Sequence, residues 1–108
     1  MIDICTCAES TIVCPSGDID MACSTELRHL IGDLLVPGVN VVIDLRHVSY
    51  AEAIGLSALV GSVRRVRSVG GTTSIRNANP RLRWHLGLIG ADRLLVPPST
   101  VTPRQGVA

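Results

Sequence analysis

The side chains best suited to metal or nucleophile chemistry in this chain are four cysteines, Cys5, Cys7, Cys14 and Cys23, and three histidines, His29, His47 and His85. All four thiols fall in the first quarter of the sequence. Their C-x-C…C…C spacing matches no zinc module, and no histidine lies near them in sequence. On one strand, Cys5 and Cys7 would stand roughly 6.5–7 Å apart at Cα, at the edge of disulfide geometry. A pairing with Cys14 across a hairpin stays open. The thiols are read as small buried hydrophobes, with redox sensing and metal binding as the alternatives. The histidines are scattered over two helices and a loop, so none is read as a general base. There is no G-x-G-x-x-G, Walker A or H-E-x-x-H pattern, and Gly55 and Ser57 are followed by Leu59 where G-x-S-x-G requires glycine. All ten cationic side chains are Arg, which excludes a Schiff-base or P-loop lysine. No catalytic set, metal or cofactor is expected, and the chain is read as a binding protein rather than an enzyme.

Charge narrows the partners. The formal net charge is +1, and the aromatic residues are Tyr50 and Trp84 alone, so neither a basic stripe nor a stacking platform for nucleic acid is present. The run Arg64-Arg65-Val66-Arg67 reads as a solvated helix face, with Arg64 and Arg65 outward. Asp44, inside "VVIDL", must be paired or hydrogen-bonded, with backbone amides or Arg46 as the expected partners. No apolar stretch approaches the ~20 residues that span a bilayer, and the N-terminus does not read as a secretion signal. The expectation is a soluble cytoplasmic protein without membrane insertion.

A chain of 108 residues reads as one domain. "IDICTC" and "TIVCPS" are β-branched runs that suggest a hairpin. Cys23, Leu27, Leu30, Ile31 and Leu34 recur at helical spacing, which predicts an amphipathic helix over roughly 22–35. "VVIDL" predicts a strand buried on both faces. A second helix is predicted over 54–69, with Leu56, Leu59, Val60, Val63 and Val66 inward and Ser62 outward. "TTSIR" predicts another strand. Asn79 and Pro80 open a third helix, and "DRLLV" reads as a closing strand. The order β-β-α-β-α-β-α-β implies an α/β domain with a mixed sheet flanked by about three to four helices. The domain is placed at residues 1–96, with a loose Pro-rich tail at 97–108.

Three stretches, "SGDIDMACSTELRHLI", "VVIDLRHVSYAEAIGLSALVGSVRRVRSVGG" and "NPRLRWHLGLIGADRLL", together resemble the STAS domain family, of which bacterial anti-sigma factor antagonists are the best-known members. The resemblance implies the same mixed sheet. It also implies a partner, an anti-sigma factor that is a serine-kinase-like protein, and a role in sigma-factor-dependent transcription. In the family the turn after the central strand reads D-S-x-G-L, and phosphorylation of its serine releases the partner. Here Glu52 stands at the Asp and Ala53 at the serine. Ile54 takes the next place, while Gly55 and Leu56 agree. Ala53 has no oxygen, so no phosphorylation is expected there. The expected contact surface comprises Gly17, Asp18, Asp20, Glu52, Ala53, Ile54, Gly55 and Leu56. The alternative is a cytoplasmic STAS subunit of a lipid-transport ABC transporter, and a homodimer is left open.

Overall fold

A computed structural model describes residues 2–7, 9–91, 93 and 95. Among them, strands β1 (Ile2–Cys7), β2 (Ser10–Pro15), β3 (Asn40–Asp44) and β4 (Thr72–Arg76) and helices α1 (Met21–Leu34), α2 (Ala53–Ser68) and α3 (Pro80–Leu88) follow the predicted order. The sheet runs β1-β2-β3-β4. The first pair is antiparallel and the other two are parallel, so the sheet is mixed as expected.

Parallel neighbours require crossovers, and here α1 and α2 supply them. Val13, Ile43 and Ile75 stand in one register row across β2, β3 and β4, and all three are fully buried. Over them lie Leu27 and Ile31 of α1, Leu59, Val63 and Val66 of α2, and Leu82 and Leu86 of α3, in one core. Burial of each such side chain stabilises the fold by about 1.5–3 kcal/mol. Val42 is buried as well, but it points to the opposite face of the sheet, in register with Ile12 and Ser74. This is the double burial that the continuous apolar run of β3 predicts. The starts of three strands are tied together by Asn40, whose Nδ2 donates to Ser10 Oγ at 2.9 Å while its Oδ1 accepts from Thr72 Oγ1 at 3.0 Å. No helix of the described residues is long and apolar enough to cross a membrane.

Several expectations are corrected. Each of the first two helices begins and ends one residue earlier than predicted. Ser62 is buried rather than outward, and its hydroxyl donates to the Ala58 carbonyl at 2.7 Å, which satisfies it within its own helix. Arg65 is half-buried rather than solvated: its Nη1 donates to the Arg28 carbonyl at 2.9 Å, strapping α2 to α1. Cys5 and Cys7 are exposed, because β1 is the sheet edge and everything in it after Ile2 is open to solvent. Cys14 is half-buried and Cys23 buried. Of the predicted closing strand, Leu95 makes a parallel bridge to Ile75, while residues 92, 94 and 96 and the whole 97–108 tail lie outside the described residues.

Asp44 is satisfied much as the sequence implies. Its Oδ1 accepts from the Arg46 amide at 3.0 Å and from Asn77 Nδ2 at 3.1 Å, and its Oδ2 faces Arg46 Nε at 3.4 Å. The pattern gives no sign of Asn77; it sits in the left-handed region at φ 58°, a conformation Asn tolerates better than most residues. Burial pushes the Asp44 carboxyl upward, but the Asn77 and Arg46 hydrogen bonds and the Arg46 charge outweigh it and hold the carboxyl below its ordinary value.

A carboxyl depressed in the folded state stabilises the fold above its unfolded pKa, and that contribution is lost as pH falls through the folded value. Urea melts should therefore show Asp44→Asn less stable than the parent by about 1 kcal/mol at neutral pH, with the gap closing below about pH 4. A gap independent of pH would contradict this account. For the thiols, burial pushes both Cys14 and Cys23 upward, and the Asp44 carboxylate adds to the effect on Cys14. Iodoacetamide should label Cys5 and Cys7 in the native protein and reach Cys23 only after unfolding, as read by peptide mass spectrometry.

Candidate docking surface

Beyond the sheet, the chain leaving β2 and the chain leaving β3 continue side by side. Parallel bridges join Ser16 to His47 and Ile19 to Ala51. The Gly17 amide donates to the His47 carbonyl at 3.0 Å, the Ile19 amide to the Tyr50 carbonyl at 2.9 Å, and the Glu52 amide to the Ile19 carbonyl at 3.1 Å. Gly17 adopts φ +83°, a left-handed turn that a side chain would strain, and this turn leaves Asp18 exposed while Ile19 drops fully into the core. Asp20 then caps α1, its Oδ1 accepting from the Cys23 amide at 2.9 Å.

Glu52 occupies the corresponding place at the start of α2, with an extended backbone, but its side chain makes no capping bond to the helix. The longer side chain leaves its carboxylate outside, near the positive end of the helix dipole. Glu52 and Ala53 are exposed and Ile54 is half-buried. Gly55 and Leu56 are buried, so these two seat the helix rather than contribute to the outer surface. Gly55 cannot be replaced without a clash, since a Cβ there would collide with the Ile19 carbonyl oxygen and stand 2.7 Å from Ile19 Cγ2. Only glycine lets the first turn of α2 lie against the loop after β2.

The expected residues thus separate into two groups. Gly17, Asp18, Asp20, Glu52, Ala53 and part of Ile54 form one exposed, mainly acidic surface, and Gly55 and Leu56 lie beneath it. Sequence reasoning missed the neighbours on α3. Tyr50 meets the His85 ring edge-on at 6.2 Å, Arg81 stands 5.6 Å above Tyr50, and Trp84 packs against His85 at 5.3 Å while remaining 64% exposed. The signal was present: Trp84 falls on the opposite side of α3 from the core residues Leu82 and Leu86. Asn79 fastens α3 to this region. Its Oδ1 accepts from the Leu82 amide at 2.8 Å, capping the helix, and its Nδ2 donates to the Ser49 carbonyl at 3.0 Å. Among the described residues, no group of three or more His, Cys, Asp or Glu is placed to hold a metal ion.

An α/β sheet with two parallel loops leading to an exposed helix start is the architecture of the STAS domain, and the model of that family matches residues 4–104. The chain belongs to the STAS domain family. It is 33% identical over 67 residues to the anti-sigma-B factor antagonist of Bacillus subtilis strain 168; the match takes in 62% of each protein. The unphosphorylated anti-sigma factor antagonist SpoIIAA has the same fold, with a TM-score of 0.76 at 15% identity over 100% of this chain and 99% of that one. An anti-sigma factor antagonist from Mycobacterium paratuberculosis superposes with a TM-score of 0.78 at 24% identity, over 97% of this chain and 88% of that one.

The seat of α2 can be tested directly. In a solvated helix Gly→Ala gains roughly 1 kcal/mol. Gly55→Ala should instead lose about 1–3 kcal/mol in denaturant melts, because the added methyl has no space beside Ile19. A stabilised variant would show that the loop gives way freely.

Proposed function

We propose that this protein is an anti-sigma factor antagonist whose docking is not switched by phosphate at the usual turn. Its partner would be an anti-sigma factor of the serine-kinase type, bound through Asp18, Asp20, Glu52, Ala53 and the open part of Ile54. The observation that carries this reading is the exposed pair Glu52–Ala53, held beside the exposed Gly17–Asp18 by the Ile19–Ala51 bridge. Similarity to the anti-sigma-B factor antagonist supports the choice of partner. The three exposed carboxylates of Asp18, Asp20 and Glu52 suit recognition of a cationic surface on a partner.

The loss of the serine has a physical consequence. A phosphate in a contact surface adds about −1.5 to −2 charges, which are costly to desolvate unless new cations meet them. Ala53 carries a methyl group where that phosphate would attach, so the complex cannot be dissolved by a kinase acting at this position. Control then passes to the amount of protein, to another exposed hydroxyl such as Ser49 or Ser57, or to the thiols.

The test uses a purified anti-sigma kinase and the full chain in calorimetric titrations. The parent should bind, and Asp18→Arg and Glu52→Arg should each weaken binding by about tenfold or more, equivalent to about 1.4 kcal/mol. With ATP present, mass spectrometry should find no phosphate on residues 51–56 of the parent, whereas Ala53→Ser should accept one and lose affinity. Binding indifferent to both charge reversals would remove the proposed surface. Purification of the chain from native lysate with transporter subunits alone would overturn the choice of partner.

A further inference from the structure

Among the described residues β1 is an outer strand of the sheet, and its residues are unusual for an edge. Strand β1 pairs with β2 on one side only among the described residues, and from Asp3 to Cys7 it is exposed throughout. Edges are commonly blunted with lysine, proline or an inward charge. β1, "IDICTC", has neither Lys nor Pro, carries the single charge of Asp3, and leaves Ile4 48% exposed.

Pairing geometry shows which backbone groups face outward. In an antiparallel pair, residues alternate between those that exchange both hydrogen bonds and those that exchange none. Ile2 stands opposite Pro15, which has no amide hydrogen and cannot complete such an exchange. Cys7 stands opposite Ser10 across a two-residue loop, where the closing pair is hydrogen-bonded. Both ends give the same phase: Asp3, Cys5 and Cys7 direct their amides and carbonyls toward β2, and Ile4 and Thr6 direct theirs to the open edge.

We infer that β1 is a self-pairing edge: two copies of this chain join their β1 strands antiparallel about a twofold axis at Cys5, and a hydroperoxide locks the pair through a Cys5–Cys5 disulfide. In this register Ile4 exchanges hydrogen bonds with Thr6 of the other copy, on both sides of the axis, using the outward-facing groups. Cys5 meets its own copy in a non-hydrogen-bonded position, where Cα atoms approach to about 4.5 Å, inside the range a disulfide spans. Charge agrees with this register, since Asp3 lies opposite Cys7 and no like charges face each other. The surface is isologous, so the assembly closes at two copies.

The chemistry balances with the peroxide as oxidant. With hydrogen peroxide as the oxidant, the Cys5 thiolate of one copy attacks a peroxide oxygen and the O–O bond breaks; the sulfur becomes a sulfenic acid, and the departing hydroxide takes up the proton that thiol gave to solvent and leaves as water. The Cys5 thiolate of the other copy attacks that sulfur, and the S–O bond breaks; its hydroxide takes up the second thiol's proton and leaves as a second water. Two thiols have then lost two electrons to one peroxide. β1 lies at the far side of β2 from β3 and contributes no residue to the proposed anti-sigma factor surface, so the lock does not depend on that assignment.

The experiment treats the full chain with hydrogen peroxide and follows it by non-reducing electrophoresis and light scattering. The parent should give a dimer reversed by dithiothreitol, with the Cys5–Cys5 peptide found by mass spectrometry. Cys5→Ser should lose the covalent dimer, while Cys7→Ser and Cys14→Ser should keep it. Thr6→Pro removes an outward amide that β2 does not use, so this variant should stay folded by circular dichroism and lose the dimer although Cys5 is intact. Dimer formation undiminished in Thr6→Pro would reduce the linkage to random collision of an exposed thiol. A covalent dimer retained in Cys5→Ser, or a monomeric Cys5–Cys7 disulfide as the main product, would overturn the register.

Discussion

Everything at the proposed docking surface depends on the contact of one glycine with one carbonyl. Gly55 lets the first turn of α2 lie against Ile19, and Ile19 is at once buried in the core and bridged to Ala51. This contact sets the depth at which α2 sits. That depth determines which residues of the turn are covered and which remain outside. Leu56 goes into the core, Ile54 is shared between core and solvent, and Glu52 and Ala53 face out. The adjoining loop obeys the same constraint from its own side, with Gly17 and Asp18 turned outward so that Ile19 can turn inward. A surface assembled from two loops would ordinarily be soft. Here each loop is the other's hydrogen-bonding partner.

The two helix starts at this surface solve the same problem differently from α2. Asp20 and Asn79 cap their helices with short side chains, each accepting from the amide three residues on. Glu52 holds the equivalent place on α2 and does not cap. Its extra methylene carries the carboxylate away from the amides, so helix stability is given up locally while a charge is placed where another molecule can reach it. A helix as long as α2, with its buried stripe from Leu56 to Val66, can dispense with one cap.

How much of this was legible in sequence depended on whether the governing interaction was local. Helices declared themselves through repeating apolar positions and through Asn79–Pro80, and β3 through an unbroken apolar run. Asp44 announced that it needed partners, but Asn77 lay 33 residues away, beyond the reach of pattern. Cys5 and Cys7 were misjudged, although Cys23 is buried as expected, because residue type reports an average preference, whereas β1 lies at the rim of the sheet, where that preference has nothing to bury against. Ser62 and Arg65 were assigned outward by helical periodicity. One satisfies itself on its own helix and the other on the carbonyl of α1, and neither solution leaves a trace in spacing. Within the surface itself, the exposed residues could be named from the family pattern and Leu56 was placed inward by helical spacing, but the burial of Gly55 against Ile19 required the coordinates.

Asn79 also joins this surface to the third helix. With its oxygen on the start of α3 and its nitrogen on the carbonyls of Val48 and Ser49, a single amide side chain spans two segments about thirty residues apart. The start of α3 and the approach to Glu52 are thus hydrogen-bonded to the same side chain, so a substitution at Asn79 removes the cap of one and the clasp on the other at once.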